Sequence, residues 1–138
     1  MSILLENLHA QLVHFPIALF SMGVVCDILS RLLNKEDLEN AGFWMMFMAL
    51  ISTPFTIISG LIVFLEDESL LDLYQFQHGI LAFISTLFLL VLFWWRIKFQ
   101  LDFRYSGLKR NIYLALHILA VGILFYGAHL GAKAADRI

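Results

Sequence analysis

The chain alternates long apolar runs with short polar ones. Four runs, at about residues 8–33, 41–65, 74–97 and 111–131, are apolar almost throughout. A helix needs about 20 such residues to cross the hydrocarbon core of a bilayer. Charges and turn formers separate them: Asn34 to Asn40, the acidic Glu66 to Asp72 and the basic Lys98 to Arg110. Connectors this short force neighbouring helices antiparallel. The pattern therefore predicts an all-α integral membrane protein, a single transmembrane domain over residues 1–138 arranged as an up-down-up-down four-helix bundle.

Composition agrees. Of 138 residues, 61% are hydrophobic and 14% charged, against about 25% charged in soluble domains. The net charge of −2 provides no clustered basic face for nucleic acid. The single cysteine, Cys26, excludes an internal disulfide and a cysteine-rich metal site. The opening MSILLENLHAQ lacks the basic start of a secretory signal, so the first span is expected to be retained.

Cations orient the bundle. Arg31 and Lys35 flank the first connector, and Arg96, Lys98, Arg104, Lys109 and Arg110 the third, whereas the second carries Glu66, Asp67, Glu68 and Asp72 with no cation. The positive-inside rule puts connectors one and three in the cytoplasm, and both termini outside, in the cell's inner membrane. Trp44, Trp94 and Trp95 fall at the cytoplasmic ends of their spans, where interfacial tryptophans belong.

Interruptions in the spans carry further expectations. Pro54, within Ser52-Thr53-Pro54-Phe55-Thr56, bends the second helix, with nearby hydroxyls available to the carbonyl it deprives. Pro16 either kinks the first helix or begins it, leaving residues 2–15 as a separate interfacial segment. Gly127 and Gly131 form a GxxxG spacing, with Gly23, Gly60, Gly79 and Gly122 as further points of close approach; such faces allow a homodimer. Asp27 and Arg31, four residues apart, can pair near the cytoplasmic end of the first helix.

The histidines are the candidate chemistry. His9 and His14 lie in the outer part of the first span, His78 one turn into the third, and His129 in the last turn of the fourth. Three helices thus bring imidazoles to a similar depth, with His14 and His78 as the expected pair. His117 is set apart, about 18 Å along the helix from His129. Neutral imidazole ligates haem iron and divalent metals. A b-type haem needs two axial histidines at matching depth on facing helices. His14 and His78 would serve, with His129 or His9 as a substitute or supporting ligand. A zinc site would want three or four ligands, adding a carboxylate such as Glu66 or Asp67. Alternatively the histidines are structural, in a non-catalytic component that packs a partner or small ligand. No nucleophile–base pair, phosphate-cradling loop or zinc-protease spacing points to hydrolysis or group transfer.

The stretch Leu8-His9-Ala10-Gln11-Leu12-Val13-His14-Phe15-Pro16-Ile17-Ala18-Leu19, followed by Asp27, resembles the opening of domain-of-unknown-function family 2231, small bacterial proteins predicted to have four spans. Gly60, His78, Arg96 and the close Gly127-Ala128-His129-Leu130-Gly131 extend the resemblance over nearly the whole chain. The chain departs at His9-Ala10, where the family often has His-Pro, and at Lys133-Ala134-Ala135-Asp136, where the family's glycine-rich end continues differently. The resemblance implies a four-span fold and draws attention to the positions of His14 and His78. Some relatives occur beside redox modules, which implies electron transfer with a redox partner protein.

Overall fold

The computed structural model describes residues 2–66, 73–99 and 107–134. Among them are four helices and no strand: α1 (Ser2–Leu33), α2 (Glu36–Glu66), α3 (Leu73–Lys98) and α4 (Gly107–Ala134). All four are long and apolar enough to cross a membrane. Asp67, Glu68, Asp72, Arg104 and Asp136 lie outside the described residues.

The helices outrun the apolar runs that announce them. α2 begins at Glu36, ahead of its apolar stretch, because Glu36, Asp37 and Glu39 in its first turn complement the positive end of the helix dipole. α1 runs unbroken through Pro16, so residues 2–15 form no separate segment. It stops at Asn34, whose φ of 51° is the left-handed conformation of a helix C-cap. The Lys35 amide then donates to the Ser30 carbonyl at 3.0 Å, the six-to-one bond of a Schellman cap. Pro54 likewise sits inside α2, depriving the Leu50 carbonyl of its donor. The hydroxyls of Ser52 and Thr53 both donate to the Ala49 carbonyl instead, at 2.8 Å each.

Around the bundle the order is cyclic. Backbones approach between α1 and α2, α2 and α3, α3 and α4, and α4 and α1, so α1 and α3 stand on one diagonal and α2 and α4 on the other. The closest packing is within the hairpins α1–α2 and α3–α4. Glycines make it possible: a Cβ at Gly23 would stand 3.4 Å from the Gly42 carbonyl, and one at Gly127 would stand 3.2 Å from the Leu81 Cβ. The Gly127 and Gly131 pair is thus used within the chain, against α3, rather than being exposed. Ser85, fully buried on α3, donates to the Ala120 carbonyl of α4 at 2.8 Å.

The core (Phe20, Met46, Ala49, Leu89, Leu92, Ala120) is narrow. Large apolar side chains such as Phe55, Phe83, Leu87 and Trp94 face outwards, each more than half exposed. That inversion of the soluble pattern suits a lipid surround, where packing between helices rather than hydrophobic burial holds the bundle.

A substitution pair tests the close approach. A Cβ at Gly42 would overlap the Asp27 carboxylate and stand 3.1 Å from the Gly23 carbonyl, whereas one at Gly79 meets nothing. Gly42→Ala should destabilise the protein by about 1–3 kcal/mol, and Gly79→Ala should leave it unchanged or stabilise it by up to about 1 kcal/mol. Unfolding in detergent micelles measures both.

Candidate functional sites at the two ends of the bundle

Polar side chains inside the bundle gather at two levels. One lies toward the end where α1 and α3 begin, the other toward the end where they finish; we call them the histidine end and the arginine end.

At the arginine end Asp27 of α1 meets Arg96 of α3 across the diagonal. Nη1 of Arg96 donates to Asp27 Oδ2 at 2.7 Å and Nη2 to Oδ1 at 2.8 Å, a bidentate fork. Both side chains are more than nine-tenths buried. Nη2 also donates to the Glu39 carbonyl of α2 at 2.7 Å, and Nη1 to the Tyr113 hydroxyl of α4 at 3.3 Å. One guanidinium therefore ties all four helices. The Tyr113 hydroxyl in turn donates a hydrogen bond to the Met46 sulfur on α2 at 3.2 Å. Above the pair, Arg110 of α4 donates to the Ser30 hydroxyl of α1. The expected Asp27–Arg31 pairing is not what forms. Arg31 is exposed, and both carboxylate oxygens belong to Arg96, because at the position of Asp27 a charge inside the bundle is better neutralised by another buried charge than by one at the rim. Arg96, counted among the flanking cations in the sequence, is in fact buried.

At the histidine end the rings that meet are those of His9 and His78, 6.4 Å between centroids and nearly perpendicular at 76°. Each is held by the partner helix of its own hairpin. Ser59 of α2 gives its proton to the Thr56 carbonyl at 2.9 Å, so its oxygen accepts from His9 Nδ1–H, also at 2.9 Å. His78 Nδ1–H donates to the Gly127 carbonyl of α4 at 2.7 Å. A neutral ring that donates through Nδ1 carries its lone pair on Nε2, the tautomer in which a ligating histidine is ordinarily fixed. Glycines again make the room: a Cβ at Gly60 would stand 2.8 Å from His9, and one at Gly131 would stand 2.9 Å from His78.

The other two candidate histidines are not brought to this pair. His14, expected opposite His78, is exposed, its Nδ1 donating to the Ala10 carbonyl of its own helix. Five residues turn a helix through about 140° beyond one full circle, so His9 and His14 cannot both face the bundle axis. His129 is exposed as well, two residues and about 200° round from Gly127. Among the described residues no group of three or more His, Cys, Asp or Glu converges for a metal ion. The carboxylates considered for such a site, Glu66 and Asp67, lie outside the described side chains.

The two levels share a register that went unread in the sequence. His9 to Asp27 and His78 to Arg96 are both spacings of 18 residues, five helical turns, which puts both members of each pair on one helix face and about 27 Å apart. α1 and α3 thus present histidine at one level and a charge at the other, and on the diagonal like levels meet. The repeated spacing was the available signal for Asp27–Arg96.

The family model for predicted membrane proteins, DUF2231, matches residues 5–138. The chain belongs to this family. No curated protein and no solved structure matches it. The family is described as one of predicted membrane proteins, with no activity named.

The ion pair gives a sharp stability prediction. Arg96→Met alone leaves a buried carboxylate unpaired and should cost about 3–5 kcal/mol, whereas Asp27→Leu with Arg96→Met should recover most of that loss. Arg96→Lys should rescue little, since an ammonium cannot reproduce the planar fork. Denaturant unfolding in micelles of these variants is the measurement.

Proposed function

We propose that this protein is a b-type haem-binding electron-transfer component of the inner membrane, with His9 and His78 as axial ligands. The observation that supports this is the His9–His78 pair: two imidazoles from diagonal helices, both fixed through Nδ1, with centroids 6.4 Å apart. Two imidazoles whose nitrogens both point at one metal, at about 2.0–2.1 Å each, would have centroids about 6.3 Å apart. Two protein ligands suit a metal that arrives with its other positions filled, as haem iron does, better than bare zinc, which takes three or four.

His9 and His78 would hold the haem, which would supply one-electron chemistry there. The chain's own part is to orient the rings: Ser59 and the Gly127 carbonyl set their tautomers, and Gly60 and Gly131 admit them. By the positive-inside rule the histidine end faces outwards, where a redox partner protein would exchange the electron. A second reading has one observation in its favour. Each ring already ties its helix to a neighbour, so the same bonds serve a non-catalytic membrane component in which His9 and His78 are structural pins.

Visible spectra separate the two. Protein purified in mild detergent and titrated with hemin should show a sharpened Soret band that shifts on dithionite reduction. His9→Ala and His78→Ala should each abolish it, and His14→Ala should retain it. Folded protein that leaves the hemin spectrum unchanged favours the structural reading. A band lost in His14→Ala but kept in His9→Ala rejects the assigned ligands.

A further inference from the structure

His117 of α4 is wholly inaccessible, and neither ring nitrogen has a hydrogen-bond partner among the described residues. A polar group buried without a partner costs about 1–3 kcal/mol, which a leucine at the same position would avoid. Its surroundings are specific. From α1, Asp27 Oδ2 lies 3.7 Å from His117 Nδ1, and a Cβ added at Gly23 would stand in ordinary contact with the ring, 3.7 Å from Cε1. From α3, Arg96 reaches it only through Asp27. On α4 itself the Tyr113 ring packs one turn away, 5.6 Å between centroids. From α2 come the uncharged Met46, bonded to Tyr113, and the Glu39 carbonyl, bonded to Arg96.

The same cluster is the part of the interior that opens toward the arginine end. A cavity of about 10 Å³ is lined by Asp27, Glu39, Arg96, Arg110, Tyr113 and Leu114, room for about one water. Glu39 and Arg110 also line a larger cavity of about 60 Å³ beside Ser30, Asn34, Lys35 and Glu36. Asp27 lines the smaller cavity, whereas His117 lines neither and lies about one helical turn beyond Tyr113 on α4.

We propose that His117 is a proton-binding site of the bundle, loaded from the arginine end through the water-sized cavity and the Asp27 carboxylate. The proton comes from water in the cavity, passes by way of Asp27, and adds to the lone-pair nitrogen of the ring. His117 then carries N–H on both nitrogens, and Nδ1–H donates to Asp27 Oδ2 once the 3.7 Å gap closes. No bond between heavy atoms is made or broken. The Asp27–Arg96 pair goes from neutral to one positive charge with the imidazolium, opposite the Glu39-lined cavity. Asp27 would then share its oxygens between α3 and α4, so proton uptake would bear directly on the contact that ties the four helices. The proposal does not depend on haem at the other end.

The test is nitrogen NMR of full-length protein, labelled with 15N-histidine and held in lipid nanodiscs, at about pH 5 and about pH 8. His117→Gln assigns the resonances. We expect His117 to be imidazolium at the lower pH and a neutral tautomer at the higher. At the lower pH Asp27→Asn should lose the imidazolium signal, and Asp27→Glu should keep it. A wild-type His117 that stays neutral at both values overturns the proposal without any variant, which covers the case in which Asp27→Asn fails to fold. An Asp27→Asn protein that folds and retains the imidazolium overturns it as well.

Discussion

Two opposite charges meeting across the diagonal of an otherwise apolar bundle set the terms for the rest of this structure. A lone aspartate or arginine at that depth would be expensive in hydrocarbon. Joined through a bidentate fork, with the remaining donors given to a backbone carbonyl and a phenol, the two become tolerable. The geometry that achieves this is demanding. Asp27 must approach α2 at Gly42, where no side chain fits, and Arg96 must reach the Glu39 carbonyl and Tyr113 together. Because α1 and α3 have no direct backbone approach, the pair also fixes the register of one diagonal against the other. A slip of either helix by one residue would turn its charge about 100° away.

The histidine end repeats that construction with different chemistry. Side chains again meet between α1 and α3 beside glycines of the neighbouring helices, here with each ring's Nδ1 bonded to the partner helix of its own hairpin. The difference is in what is left to do. Arg96 and Asp27 satisfy each other through the fork and tie the helices together. His9 and His78 meet nearly perpendicular, each held through Nδ1 by a neighbouring helix. His117, near the ion pair but bonded to nothing among the described residues, belongs to neither arrangement. These three settings give histidine three different characters within one small bundle.

Much of the architecture was legible in the chain. Four runs of about 20 apolar residues leave little freedom in a bilayer, because every backbone group must be satisfied within its own helix, and short connectors then impose antiparallel neighbours. The polar ends of α2 and α4 were less visible, since a hydropathy pattern reports the hydrocarbon crossing and not the turns beyond it. The site was half legible. That histidines would gather at one end followed from where they fall in the spans. Which of them met did not, because His9 and His14 both fall in the outer part of α1 and azimuth, which hydropathy does not report, decides between them.

Sequence by itself determined the solvent, the number of crossings, their alternation and the unequal chemistry of the two ends, all of which follow from local composition and length. Tertiary structure decided the partners. It gave Asp27 to Arg96 rather than to Arg31, His78 to His9 rather than to His14, and Gly131 to a histidine of the same chain rather than to an exposed face. The reason is physical. Pairing across a bundle depends on helix rotation and on which neighbour lacks a Cβ, and a rotation of 100° per residue leaves no mark on hydropathy. Only the 18-residue spacing, repeated in α1 and α3, carried that information along the chain.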